Sequence, residues 1–147
     1  MNKTNQFCTF FVDGIHFGIE VLEVQEVLRF QSMTPVPLAP DVVQGLINLR
    51  GQIVTAFDLR TRLDMPDRSP GQNPMNVVIR SDDGAVSLLV DEIGDVLETR
   101  EDQFEPPPAT LDATTRALLT GVFKLEDHLL LILDTEKTLA IETSSLN

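Results

Sequence analysis

The stretch Gly45-Leu-Ile-Asn-Leu-Arg-Gly-Gln-Ile-Val-Thr-Ala-Phe-Asp-Leu-Arg-Thr-Arg-Leu63 decides how this chain folds, because its pattern occurs twice. Set against residues 121–139, it keeps Gly45/Gly121, Leu49/Leu125, Asp58/Asp134 and Leu63/Leu139, with an apolar strand before each Asp. Working outward, residues 17–28 match residues 86–97: Val21/Val90, Glu23/Glu92, Val27/Val96 and Leu28/Leu97 are identical, and Glu26/Asp95 keeps its charge. The two offsets, 69 and 76 residues, differ by a length that the Pro-rich loop of the second half can absorb. A shared order of hairpin, Pro-rich loop, glycine, strand and Asp-capped helix points to internal duplication. Two copies of a short antiparallel unit imply two small barrels side by side, since closing a sheet removes its sticky edges. Neither copy has much core alone, so the two should pack together and leave a groove where a partner segment docks. The expected fold is all-β, in one domain spanning residues 7–140. Its approximate repeat units are 7–65 and 75–140, followed by a fraying tail at 141–147.

Local signals agree. Residues 7–12 and 15–19 flank Asp13-Gly14, a hairpin signature. Residues 21–28 have helical spacing but a Val-rich, strand-favouring composition. Pro35, Pro37 and Pro40 make 33–41 an ordered extended loop. Arg50-Gly51-Gln52 reads as a turn, 53–57 as a strand, and Asp58 as the cap of a short helix at 59–63. Residues 66–74 are the best linker. In the second half, 76–80 and 85–90 read as strands around a turn at 81–84. Pro106-Pro107-Pro108 stiffens the loop 103–109. Strands at 118–125 and 129–133 precede a helix over 135–141 capped by Asp134.

Composition narrows the function. Of 147 residues 42% are hydrophobic, enough for a packed interior, and without Trp or Tyr all large aromatic packing falls to Phe. Asp plus Glu number 23 against 11 Lys plus Arg, a formal charge of −12 that repels nucleic acid and anionic lipid. A local basic site around Arg50, Arg60 and Arg62 stays open. With Cys8 alone no intramolecular disulfide can form, and Cys8 reads as a small core or semi-buried residue. No stretch approaches the roughly 18 apolar residues of a membrane span, and no apolar segment follows the N-terminus as in a signal peptide. His16 and His128 read as distant, ordinary surface residues, and no zinc-ligand spacing or phosphate-cradling loop is present. No enzyme, metal or cofactor is therefore expected. A small hydrolase using scattered carboxylates is the remote alternative.

The ordered set Gln44-Gly-Leu-Ile-Asn-Leu-Arg-Gly-Gln-Ile-Val54 and Phe57-Asp-Leu-Arg60 resembles the central signature of the CheW family. Around it Phe17-Gly-Ile19, Val24-Gln-Glu-Val-Leu28, Pro35-Val-Pro37, Leu89-Val-Asp91 and Leu119-Thr-Gly121 match in order. The resemblance implies two five-stranded SH3-like barrels. It also implies an adaptor that joins the cytoplasmic tip of methyl-accepting chemotaxis receptors to the regulatory domain of the histidine kinase CheA. Such an adaptor has no cofactor, no nucleic acid and no direct membrane insertion, and is a cytoplasmic protein recruited to receptor arrays at the inner membrane. The alternative is a scaffold for a CheA-like kinase or response regulator in a non-flagellar pathway without receptor contact. By the same resemblance Val24, Glu26, Val27, Gly45, Ile47 and Arg50 are the protein-binding candidates. Arg50 would make a hydrogen-bonded or ionic link that shapes the receptor-side surface, or else a salt bridge that organises its loop; Gly45 and Gly51 would serve backbone geometry, and Val24, Val27 and Ile47 would line a groove or belong to the core. Two departures stand out: Val54-Thr-Ala-Phe57 replaces an Ile-Pro-Val-like strand, and Phe17 replaces a Tyr.

Overall fold

A computed structural model describes residues 4–82 and 84–140. The first half contains β1 (Thr4–Val12), β2 (Ile15–Glu20), a 3-10 turn (Val21–Glu23), β3 (Val24–Leu28), β4 (Val43–Leu49), β5 (Gln52–Asp58) and α1 (Leu59–Arg62). The second contains β6 (Met75–Ser81), β7 (Gly84–Val90), β8 (Glu92–Arg100), a 3-10 turn (Glu101–Gln103) and β9 (Phe104–Glu105). It continues with α2 (Ala113–Ala117), β10 (Leu119–Lys124), β11 (Leu129–Leu133) and α3 (Thr135–Leu139). At residues 21–28 the Val-rich composition wins after a single 3-10 turn. Asp58 and Asp134 cap α1 and α3 by accepting the N–H of Arg60 and of Lys137. The helix α2, capped by Asp112, lies where no helix was expected from local patterning. The end of the expected final helix at 141, and the tail 141–147, lie outside the described residues.

The fold is all-β, with two SH3-like units and short helices, but each sheet draws on both halves of the chain. One sheet has the order β8-β1-β2-β11-β10-β9, the other β3-β6-β7-β5-β4. The first hairpin thus leaves its own half to join the later strands, and β6 and β7 join β3, β4 and β5, so the sheets do not follow the repeat boundaries. The exchange also sets β2 beside β11 and β5 beside β7 as parallel pairs, so the sheets are mixed where an antiparallel unit was expected. The duplication is nonetheless written in the ladders. Thr55 pairs with Val86 and Leu131 with Phe17; Val27 with Val77 and Val96 with Cys8; Gly45 with Ala56 and Gly121 with Ile132. Each second pair is the first carried over by the offsets of the sequence repeat.

Each unit closes in the same way. After β3 the chain swings round so that Thr34 bridges Leu46 on β4, and after β8 it swings round so that Glu105 meets Val122 on β10. Glycine is required at both crossings. A Cβ on Gly45 would lie 2.8 Å from the Thr34 carbonyl oxygen, and one on Gly121 2.5 Å from that of Glu105.

Among the described residues the interior has three apolar clusters. One (Ile47, Leu49, Val54, Ala56, Val78, Leu89) belongs to the β3–β7 sheet, and another (Phe7, Phe123, Leu130, Ile132) to the other sheet. The largest joins both, with Phe10, Phe17 and Leu131 from one side and Phe57, Val77 and Leu88 from the other. With each fully buried Val, Leu, Ile or Phe worth about 1.5–3 kcal/mol, this shared cluster holds the two units together.

Candidate functional site

The turn that joins β4 to β5 is built to aim one side chain. Arg50 and Gly51 both take positive φ (52° and 87°), a two-residue hairpin turn. The Asn48 Oδ1 accepts the Gly51 N–H at 2.9 Å and fixes the turn from inside. Arg50 extends from it, 69% exposed, and pairs with Glu26 on β3. The bridge therefore ties the middle of one edge strand to the turn of the hairpin at the sheet's opposite edge.

Of the six binding candidates only some reach the surface. Beside Glu26, Val27 is 38% exposed, and Val24 is half-buried against the shared core. Ile47 is 1% exposed inside the β3–β7 cluster, so it supports the surface and does not line a groove. Gly45 lies beneath Met33 and Thr34, where its role is close backbone approach. Among the described residues, sequence reasoning missed four exposed apolar residues of this half, Leu22, Phe30, Leu38 and Ile53. Strand alternation could have found Ile53, which follows the turn on the face opposite Val54. Val96, which the repeat sets against Val27, is likewise exposed on the edge strand β8.

Arg50, Arg60 and Arg62 do not form a basic site. Arg60 is buried and donates Nε and Nη2 to the two oxygens of Asp91 at 3.0 and 2.7 Å. Arg62 caps the end of α3 by donating to the carbonyls of Lys137, Thr138 and Ala140. Arg68 joins Arg60 from the stretch 66–74: its Nε donates to Asp91 at 3.0 Å, its Nη1 to Asp58 at 2.9 Å and its Nη2 to the Leu89 carbonyl at 3.2 Å. That stretch is irregular backbone but is anchored to the sheet, and its composition gave no sign of this. Burial alone would raise the Asp91 pKa. The Arg60 hydrogen bond, the Asp13 N–H and the charges of Arg68 and Arg60 overcome it and hold the carboxyl below its ordinary value.

The histidines correct the sequence reading. His16 is 8% exposed, stacks on Phe11, and places its Nδ1 2.9 Å from the Nε2 of His128, 112 residues away. The Nδ1 of His128 lies 2.6 Å from Asp127. Both ring N–H groups of this relay are satisfied with His16 donating to His128 and His128 donating to Asp127. A second proton on His16 would sit on Nε2, which is buried without a partner among the described residues. Burial first, and the neighbouring His128 second, lower the His16 pKa against the opposing pull of Asp95. Cys8 is half-buried, and burial raises its thiol pKa, away from the reactive thiolate. Among the described residues no three His, Cys, Asp or Glu side chains gather as a metal site, and no helix is long and apolar enough to cross a membrane.

Comparison with known proteins gives a consistent result. Residues 6–142 match the family model described as a CheW-like domain. A chemotaxis protein CheW of Klebsiella aerogenes is 31% identical over 141 residues, covering 96% of this chain and 85% of that protein. The Bacillus subtilis chemotaxis protein CheW is 32% identical over 135 residues, covering 92% and 86%. Among solved structures, the scaffolding protein TtCheW from Thermoanaerobacter tengcongensis superposes with a TM-score of 0.84 at 25% identity, covering 95% of both chains.

Proposed function

This chain belongs to the CheW-like family of chemotaxis scaffolding proteins, and from that premise we propose that it couples chemoreceptors to a CheA-like histidine kinase. The observation that carries this reading is the Arg50–Glu26 bridge on the edge strand β3, with Val27 exposed on the other face of the same strand. A rigid turn, a charged pair and an exposed apolar residue along one edge strand make an edge that a helical receptor tip can dock along, with apolar contact for affinity and charge for orientation.

The kinase regulatory domain is the second partner, itself of the same fold type by resemblance. A small protein acting by assembly transmits a signal only if one partner's affinity depends on the other's state, so the adaptor is a thermodynamic link as well as a tether. It works in the cytoplasm and reaches the inner membrane through receptor arrays.

The test is calorimetric titration of the receptor-tip fragment and of the kinase regulatory domain, separately, with the native chain and with a Val27→Asp variant. The receptor fragment should bind the native chain saturably and the variant at least about tenfold more weakly, while kinase binding is retained. Receptor binding unchanged by Val27→Asp would remove this face from the account. Kinase binding alone would favour a scaffold without receptor contact.

A further inference from the structure

The internal repeat contains the same joint twice and ties it differently. By the offset of 76 residues, the turn Arg50-Gly51-Gln52 corresponds to Glu126-Asp127-His128, and by the offset of 69 Glu26 corresponds to Asp95. In the first unit Arg50 and Glu26 join turn to edge strand as an ion pair. In the second unit both positions hold carboxylates, and like charges give no such tie. There the turn is held through His128, whose Nε2 lies 2.9 Å from the Nδ1 of His16 on β2. These are both histidines of the chain, and they meet across 112 residues of sequence.

The contact tolerates one arrangement of protons. In the neutral relay the His16 Nε2 is a bare lone pair, buried without a partner among the described residues. It faces Gly94 on β8, and the neighbouring Asp95 carbonyl already accepts the Thr9 hydroxyl. An added proton has three places to go while the rings stay together. On the His16 Nε2 it makes a buried N–H without an acceptor. On the His128 Nε2 it sets N–H against N–H. If His16 then moves its own proton from Nδ1 to Nε2, the clash ends but the unpartnered buried N–H returns. Turned out to water, the half-exposed His128 carries both protons, with Asp127 beside it to balance the charge. The titratable groups facing His16 are His128, with Asp127 behind it, and Asp95 of β8. Thr9 and Phe11 of β1 and Leu129 and Leu130 of β11 do not titrate. Asp95 favours charge on His16, and burial together with His128 outweighs it.

We propose that the His16–His128 contact is a proton-operated latch on the β10–β11 turn. When neutral it holds the turn against β2, and one added proton releases the turn by swinging His128 into water. The release is local. Within the turn the Leu125 N–H donates to the His128 carbonyl at 2.8 Å, so this bond reports the opening. The matching turn of the first unit contains no histidine and stays closed. Acid thus reshapes the second unit and leaves the Arg50–Glu26 face of the first as it is, whatever partners bind there.

The test is an NMR titration of the full chain from about pH 7.5 to about pH 5.5, the range in which imidazole changes charge. Long-range proton–nitrogen spectra at the upper pH should show the Nδ1–H tautomer in both rings. On acidification the amides of Ile15 to Phe17 and of Leu125 to Leu129 should titrate with one shared midpoint. Hydrogen-exchange protection of Leu125, corrected for the intrinsic rate, should fall at least about tenfold, while that of Gly51 stays constant. His128→Gln installs the residue that the repeat carries at position 52, at a half-exposed site, and should remove the pH response of Leu125. Should that variant misfold, the tautomers and the shared midpoint of the native chain still decide the matter. A different tautomer, a His128 midpoint that His16 does not share, or Leu125 protection that survives acidification would overturn the proposal. So would an equal response in a folded His128→Gln. Protection lost across the whole sheet at once would mean general destabilisation and would equally overturn a local latch.

Discussion

Arg60 and Asp91 face each other through two parallel hydrogen bonds, with side chains only 11% and 8% exposed. Asp91 follows β7, and Arg60 lies in α1 after β5, so the pair locks helix to sheet. Arg68 uses the same carboxylate to hold down the loop after α1.

Removing that carboxylate charge leaves two buried guanidinium groups facing neutral amide. Asp91→Asn should cost about 3 kcal/mol in urea unfolding at neutral pH, as in other broken buried pairs. Because the folded Asp91 carboxyl titrates below its ordinary value of 3.8, its contribution is fully present above that pH and is lost as pH falls through the folded value. The gap between native and variant stability should therefore stay constant down to about pH 4 and narrow below it.

His16 has linkage of the same sign in a higher pH window. Its folded pKa lies below the ordinary 6.5, so below that value the unfolded chain binds more protons and stability falls as pH falls. Urea midpoints should decline as pH drops from 6.5 toward the folded value. The decline should flatten in His16→Gln, with carboxylate effects confined to lower pH. An NMR titration of His16 with its midpoint at or above 6.5 would refute the neutral-pair description.

The repeat was legible in the sequence because closure and capping demand particular residues. Gly45 and Gly121 must pass under backbone, and Asp58 and Asp134 must cap, so both pairs stand out. The exchange of strands was not legible, since an offset says which residues are equivalent and not which copy they pair with. Arg68 and the His16–His128 contact were hidden for a related reason: both depend on segments brought together only by the finished fold. The exposure of Val27 against the burial of Ile47 required knowing which face of each strand the barrel encloses.

Glycine at the crossings gives a sharp stability test. Gly45→Ala would drive a Cβ to 2.8 Å from the Thr34 carbonyl and 3.0 Å from the Met33 Cβ, and Gly121→Ala to 2.2 Å from the Phe104 ring. Each should cost about 1–3 kcal/mol in thermal or urea unfolding. Gly51, with positive φ and open space around it, should accept Asn at a cost of less than about 1 kcal/mol.

The Arg50–Glu26 bridge should matter for binding and little for folding. Arg50 is largely exposed, so Arg50→Glu should shift stability by less than about 1 kcal/mol. Receptor-fragment affinity should fall about tenfold and recover at least in part in the double variant Arg50→Glu/Glu26→Arg, measured by calorimetry. Equal loss in the single and double variants would assign Arg50 a direct contact with the partner and give the bridge no role of its own.

The central claim is that one chain holds receptor and kinase at once. Sedimentation velocity of an equimolar mixture of this protein, the kinase regulatory domain and a folded receptor-tip fragment tests it most directly. The expected result is a ternary species heavier than either binary complex and absent when this chain is left out. Two binary complexes that compete, with no ternary species at any ratio, would contradict it.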